Sequence, residues 1–314
     1  MIKKALIIGI YGQDGFYLSN LLLKKKKNYK VYGVSRIKKI KTRAKISNKV
    51  KIFTLKKNND STRLNKILKI GFDEIYFAGG QSSVKNSFSS KEYESFQSQI
   101  FPIQIILEYM RIHKRKTKFL YFCSSEIFGD HKKKKLRETD KKKPLSPYGL
   151  AKLASFEIIK SYRKMFNLPV FSVIFFNHES LLRDKAYVIK KVILAVKKIK
   201  KKTDRIYLGN INVKRDWGWA PEYMLGCYKI MKIQNVDDYI IATGRTVALK
   251  KVIRMIFNLK KLDWNKYVRT NPKNIRITDI KENYANISKI KNEINWYPKV
   301  RIKEIIKKIY NNKV

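Results

Sequence analysis

The sequence predicts an α/β protein, a Rossmann-type doubly wound parallel sheet with a smaller C-terminal α/β domain. Three observations carry that expectation. Apolar runs of strand length alternate with stretches of helical periodicity as far as about residue 176. The first run passes at once into GIYGQDG (residues 9–15), with glycines three apart. Beyond residue 176 the alternation becomes irregular, as in a second unit woven onto the first. With 314 residues, 44% of them hydrophobic, the chain can bury a sizeable core.

Each element follows from its own pattern. Residues 3–9 form a continuous apolar run, the mark of a strand covered on both faces. Residues 16–27 repeat apolar side chains at helical spacing, and VYGVS (31–35) reads as a second strand. Residues 36–49 are basic and weakly patterned, a loop; 51–55 is strand-like. Asp60-Ser61-Thr62 can cap a helix through Leu68. Residues 73–80 are a strand ending in glycines, 94–112 a long helix with Pro102 near its first turns, and 118–126 a strand. A helix over 146–166 and a buried strand over 169–176 complete the regular part. Then come a helix at 186–200, short strands near 206–208 and 213–217, a helix at 221–232 and a strand and turn at 238–244. Helices near 246–258, 286–294 and 302–311 finish the chain, with no internal repeat or long linker. The expected division is 1–175 for the Rossmann domain, with 213–244 returning to it, and 176–314 for the smaller, interwoven part.

The net charge is +48, with 72 basic residues against 24 acidic ones. Such a balance ordinarily suggests nucleic acid or an anionic membrane. Two features argue against both. The excess is lysine, 57 against 15 arginines, and arginine is the better bidentate reader of phosphate and guanine. The lysines are also scattered in short clusters along the whole chain instead of lining one aromatic-bearing element. The two cysteines, Cys123 and Cys227, and the three histidines, His113, His131 and His178, are too dispersed for a disulfide framework or a metal site. No apolar run reaches the roughly 18 residues of a membrane span, and MIKKALIIGI has no signal-peptide form. A cytoplasmic protein without nucleic acid, membrane or metal is expected.

The glycine turn joins a strand to a helix. Gly9, Gly12 and Gly15 would let the backbone approach a pyrophosphate at a helix N-terminus, whose dipole favours anions. The neighbouring Gln13 and Asp14 join them as candidate cofactor-binding residues. An ordinary tight turn is the plainer alternative. The second strand ends in Gly33-Val34-Ser35-Arg36 with no acid nearby. An NAD site usually places a carboxylate there, whereas Arg36 could pair with a 2′-phosphate. NADP is therefore expected, unless Arg36 is simply part of the basic loop.

Two further segments carry chemistry. Ser124-Ser125-Glu126 closes a strand at its carboxyl end, where ligands of open α/β sheets bind. Tyr148 and Lys152, four apart, share one helix face. An ammonium beside the phenol would favour the phenolate, making Tyr148 a base near neutral pH. Glu126 adds a carboxylate able to work as acid and base in an elimination. The plainer alternatives are a strand-end turn for the serines and a capping or surface carboxylate for Glu126.

With these residues in view, the chain resembles the extended short-chain dehydrogenase/reductase family and, within it, the GDP-mannose 4,6-dehydratases. The resembling stretches are residues 9–23, AGGQSSVKNSF (78–88), SSEIFG (124–129), SPYGLAK (146–152), FNHES (176–180), YLGN (207–210), RDWGWAPEY (215–223) and YIIATG (239–244). The resemblance implies that Tyr148 takes the proton of the sugar 4-hydroxyl while hydride passes to NADP. It implies that Ser124 polarises the developing ketone, that Glu126 removes the C5 proton as water leaves C6, and that the hydride then returns to C6. It makes Gln81, Ser82, Lys152, His178 and Arg183 cofactor residues. Ser83, Asn177, Arg215 and Arg276 become substrate residues for GDP-mannose. His178 could equally be a satisfied core histidine, and Arg215 a strand-surface arginine. It also implies a homodimer through the 94–112 and 148–166 helices, with a tetramer as the further option.

This chain departs from that pattern in several places. Lys57-Asn58 replace an Asp-Leu pair, and the loop at 36–49 is short. Leu181-Leu182 replace Pro-Arg, and Ser83 replaces a histidine. An epimerase or reductase on another nucleotide sugar is the alternative inside the superfamily; it would need Tyr148 and Lys152 but not Glu126. A basic nucleotide- or nucleic-acid-binding protein on the same scaffold is the alternative outside it.

Overall fold

The computed structural model describes residues 2–25, 29–36, 45–57, 60–88, 92–113, 116–131, 135–275 and 278–312. Seven strands form the central sheet: β1 (Lys3–Ile8), β2 (Tyr29–Ser35), β3 (Lys51–Thr54), β4 (Glu74–Phe77), β5 (Lys118–Ser124), β6 (Val170–Phe175) and β7 (Asp238–Ile241). Their order is β7-β6-β5-β4-β1-β2-β3, and every pairing is parallel. The crossover from β3 back to β4 puts a switch point between β1 and β4, the place where open α/β sheets bind ligands at the carboxyl ends of their strands.

Strict alternation along the strands assigns each face its helices. Leu6 and Ile8 of β1, with Phe119 and Tyr121 of β5, face one side. There they meet Leu64 of α2 (Ser61–Leu68), Ile103 and Ile106 of α3 (Glu92–Ile112), and Phe156 and Ile159 of α4 (Pro147–Phe166). The numbering leaves α1 (Gln13–Lys24) for the opposite face. On that face Ala5, Ile7, Leu120 and Phe122 meet Leu18 and Leu22 of α1 and Tyr223 and Cys227 of the helix Ala220–Ile230. Burial on both faces is why the strands read as unbroken apolar runs. A third core joins α5 (Val188–Lys198) to the helices Leu249–Asn258 and Ile302–Tyr310 around Trp217 and Trp219.

Several boundaries differ from expectation. The strand expected over 118–126 stops at Ser124, because the serine side chain accepts the Glu126 backbone N–H at 3.3 Å and turns the chain into a 3₁₀ helix, Ser125–Phe128. Pro102 is mid-helix, since α3 starts at Glu92. Ile103, Ile106, Leu107 and Met110, packed on the sheet, carry the helix past it. The strand expected over 213–217 is two strands, Lys214–Arg215 and Trp217–Trp219, parted by Asp216. The first joins a four-stranded ribbon with Lys135–Leu136, Val247–Ala248 and Glu282–Ala285; the second pairs in parallel with Asn177–Glu179. Strands of two to four residues leave no periodic signal. Of the loop expected over 36–49, residues 37–44 lie outside the described residues.

Candidate active site

Close backbone packing builds the glycine turn. Gly9 has φ +89°, and a Cβ there would lie 2.6 Å from the Ala78 carbonyl oxygen, so the turn after β1 is pressed against the turn after β4. At Gly15 a Cβ would stand 2.4 Å from the Gly9 oxygen, which lets α1 start directly above the strand. Gly12 differs: only the Gly9 oxygen, at 3.2 Å, comes within 4 Å of the added atom. That side of the turn is open, and the first N–H groups of α1, which have no intrahelical acceptor, lie at the positive end of the helix dipole. Arg36 is exposed just beyond the carboxyl end of β2.

Ser124, Glu126 and Tyr148 converge above β5. Ser146 caps α4 by accepting the Gly149 N–H at 3.0 Å, and Pro147 occupies the first helical position. A Cβ on Gly149 would lie 2.9 Å from the Glu126 carbonyl oxygen, so this glycine lets the helix start sit on the Glu126 turn. Ser124 and Glu126 are both close enough to the Tyr148 phenol to influence its titration, in opposite senses. Lys152, one turn on and 5% exposed, donates to the Phe122 carbonyl at 2.7 Å. Its Nζ lies 6.0 Å from the centre of the Tyr148 ring. Burial pushes the Lys152 ammonium down to about 8, against the opposing pull of Cys123 and Asp14.

Burial pushes Tyr148 above the ordinary tyrosine range, Ser124 only opposes it, and Tyr187 and Glu126 add to it.

Gln13 and Asp14 fasten α1 to the strand Asn177–Glu179. Asp14 accepts from His178 Nε2 at 3.0 and 3.2 Å, while His178 Nδ1 faces the Phe176 carbonyl at 2.9 Å. Both ring nitrogens thus face oxygen atoms. Burial raises Asp14, but the charge and hydrogen bond of His178 outweigh it and hold the carboxyl below its usual value. Gln13 accepts from the Ser180 hydroxyl at 2.7 Å. Arg183 Nε stands 3.7 Å from Glu179 Oε1, and the guanidinium stacks on Tyr187 at 3.6 Å. Glu179 is 2% exposed and pushed up by burial, with Arg183, His178 and Lys190 opposing.

The loop after β4 is pinned to α3. Gln81 receives the Gln99 amide on its carbonyl at 3.1 Å and donates its own N–H to the Ser98 hydroxyl at 3.0 Å. Its side chain turns back to the Ser83 carbonyl at 2.7 Å. The Ser83 hydroxyl accepts the Asn86 N–H at 3.2 Å. Ser82 meets Tyr187, from beyond the strand Asn177–Glu179.

Residues 6–309 match the family described as GDP-mannose 4,6 dehydratase. The chain belongs to that family. The GDP-mannose 4,6 dehydratase of Drosophila melanogaster is 32% identical over 341 residues, covering 97% of this chain and 84% of the relative. The Yersinia enterocolitica enzyme is 30% identical, with 97% and 92% covered. Among solved structures, the UDP-glucuronic acid 4-epimerase of Bacillus cereus, in complex with UDP-glucuronic acid and NAD, superposes with a TM-score of 0.85 at 19% identity, covering 98% of each chain. The dTDP-glucose 4,6-dehydratase of Bacillus anthracis gives 0.82 at 16% identity, covering 98% and 96%. These likenesses bear out the Rossmann-type doubly wound fold.

The residues that resemblance to the GDP-mannose 4,6 dehydratase family assigned to the sugar nucleotide are more dispersed. Asn177 is half-buried and opens the strand paired with Trp217. Arg215, 6% exposed, is held by Asp279 at 2.8 Å, so its guanidinium already has a carboxylate partner. Arg276 and Asn58 lie outside the described residues. Cys123 and Cys227 are free and buried. Among the described residues no helix is long and apolar enough to cross a membrane, and no group of three or more potential ligands could hold a metal.

Three residues were not anticipated. Asp216, fully buried, accepts from Thr243 N (2.8 Å) and Oγ1 (2.6 Å), Gly244 N (2.8 Å) and Arg245 N (3.2 Å). It sits between Arg215 and Trp217 and ties both to the turn after β7. Glu179 and Tyr187 are the others. Glu179 and Asp216 stand beside polar or charged residues in the sequence and Tyr187 is one of 19 tyrosines, so none of the three gave a local signal.

Proposed function

We propose that this chain is a GDP-mannose 4,6-dehydratase that works through bound NADP. The observation that carries this reading is Glu126 beside Ser124 and Tyr148, a carboxylate that oxidation or epimerisation at C4 does not require. The open side of Gly12 and the free N–H groups of α1 fit a cofactor pyrophosphate. Exposed Arg36 after β2, with no carboxylate near it in sequence, suits a 2′-phosphate. Gly9, Gly12, Gly15, Gln81, Ser82 and Lys152 would hold the cofactor, with Gln13, Asp14, His178 and Arg183 framing its nicotinamide end. The sugar nucleotide would lie against Ser83, Asn177, Arg215 and Arg276.

A bound nicotinamide would accept hydride from C4 in its oxidised form, whose positive charge would favour the Tyr148 phenolate, and return it to C6 in its reduced form. Tyr148 takes the proton of the 4-hydroxyl, and Ser124 hydrogen-bonds the oxygen that becomes the ketone. The ketone acidifies C5–H; Glu126 removes that proton and delivers one to the departing C6 hydroxyl. Lys152 holds its charge beneath Tyr148 and is lost as a cation above about pH 8.

In this reading residues 1–175 with 213–244 carry the cofactor and 176–314 the sugar nucleotide. The protein is cytoplasmic. Exposed Tyr93, Phe101 and Ile112 on α3, with Leu150 and Met165 on α4, suit a homodimer through those helices. Incubation with GDP-mannose and either NADP or NAD, followed by mass spectrometry, tests the proposal. Loss of one water, faster with NADP, is expected. Turnover of another nucleotide sugar in place of GDP-mannose would contradict the substrate, and retention of the water during turnover would contradict the reaction.

A further inference from the structure

Lys152 is a buried cation with few partners. It is 5% exposed, and among the described residues its ammonium makes one hydrogen bond, to the Phe122 carbonyl at 2.7 Å, although it can donate more. Among the described residues no carboxylate forms an ion pair with it; Asp14, the acid whose charge acts on it, is paired with His178 at 3.0 Å. A buried charge in that position needs compensation from another source. The face of an aromatic ring supplies it. Tyr121 is fully buried on the side of β5 that meets α4, and the Lys152 Nζ lies over its ring, 5.0 Å from the centre. The Tyr148 ring is farther off, at 6.0 Å. At 5.0 Å a desolvated ammonium is attracted by the negative face of the ring. The Tyr121 hydroxyl also donates to the Lys152 carbonyl at 3.4 Å, so the ring is fixed against the same residue whose side chain it carries.

We propose that Tyr121 is a positioning residue for the reaction: the face of its ring carries the Lys152 ammonium and holds that charge beneath Tyr148. Its effect reaches the chemistry through Lys152. A charged Lys152 favours the Tyr148 phenolate, and a neutral one does not. The titratable groups around the ammonium are Tyr121 and Cys123 of β5, Asp14 of α1, and Tyr148 on its own helix. Burial pushes the Cys123 thiol up to about 12, so it carries no charge in the working range. Without the Tyr121 ring, Asp14 alone would oppose the burial that drives Lys152 towards its neutral form. The role in the reaction rests on the dehydratase reading above; the contact between ring and ammonium does not.

The test places pentafluorophenylalanine at position 121, which keeps the shape of the ring and reverses the polarity of its face. Beside it stand Tyr121→Phe, which keeps the face and drops the hydroxyl, and Tyr121→Met, which fills the space without a ring. Melting temperatures identify the variants that fold, and either the fluorinated protein or Tyr121→Met suffices. NMR titration of carbon-13-labelled lysines follows the ammonium directly, its signal assigned by its absence from Lys152→Arg; the wild-type midpoint is expected at about 8. In the fluorinated protein and in Tyr121→Met that midpoint should lie about one pH unit lower, and the alkaline limb of kcat/KM for GDP-mannose should move with it. Tyr121→Phe should follow wild type in both. An unmoved Lys152 midpoint overturns the assignment, and so does an equal drop in Tyr121→Phe, which would trace the effect to the hydroxyl. A midpoint that moves while the alkaline limb stays overturns the role in the reaction. A wild-type protein that binds cofactor yet is silent on GDP-mannose overturns the dehydratase reading and that role with it, while the lysine titration still decides the contact.

Discussion

Glu126→Gln is expected to lower water loss from GDP-mannose about 10³-fold, within the range for removing a positioned acid–base group. Glutamine keeps the size of the side chain, and the fold there depends on the Glu126 backbone, whose N–H meets Ser124 and whose carbonyl packs on Gly149. The proton transfers at C5 and C6 are what the substitution removes. Oxidation at C4 needs Ser124, Tyr148 and Lys152 only, so reduced nicotinamide should accumulate in the variant after mixing with substrate. Stopped-flow absorbance read beside product mass spectrometry separates the two steps. Turnover within about tenfold of wild type would fall below the usual acid–base contribution and assign Glu126 to structure.

Asp216→Ala is expected to give the largest stability loss, about 3–5 kcal/mol, because four donors from Thr243, Gly244 and Arg245 lose their acceptor in a buried place. The apparent Tm should fall by roughly 5–15 °C. The loss has a pH signature. Burial pushes the Asp216 carboxyl up to about 6, against the pull of its Thr243 and Gly244 donors, whereas an unfolded aspartate titrates near 3.9. Between those values the folded state binds more protons than the unfolded one. The stabilisation linked to Asp216 is therefore fully present below about pH 4 and declines as pH rises through about 6, by about 3 kcal/mol in all. Wild type should exceed Asp216→Ala by most near pH 4 and by least near pH 7. Denaturant melts of both proteins at these pH values measure the margin, and a margin that widens towards neutral pH would show that the carboxylate is ionised throughout.

Much of this was legible because the signals are covalent or periodic. The apolar runs that became β1, β5 and β6 are long and buried on both faces, and Gly9 and Gly15 are demanded by packing a side chain would obstruct. Tyr148 and Lys152 follow from helical spacing once α4 is recognised. The remainder depends on tertiary contacts. Nothing in the local pattern says that Asp14 pairs with His178, 164 positions away, or that Arg215 is taken by Asp279, 64 positions away. Nor does the spacing of Tyr148 and Lys152 show that burial pushes the phenol up and the ammonium down. Beyond residue 176 the strand at 206–208 was legible, but those at 177–179, 247–248, 268–270 and 282–285 escape because two to four residues carry no period, and Asp216 parts the run expected over 213–217.

The central claim is an internal return of hydride from C4 to C6, and GDP-mannose deuterated at C4 tests it most directly. With catalytic cofactor, the product should be the 4-keto-6-deoxy sugar carrying deuterium at C6, and in heavy water it should gain one solvent-derived deuteron at C5. Deuterium found at C4 of an inverted sugar, or lost to a stoichiometric amount of reduced cofactor, would contradict the account and make the chain an epimerase or a dehydrogenase.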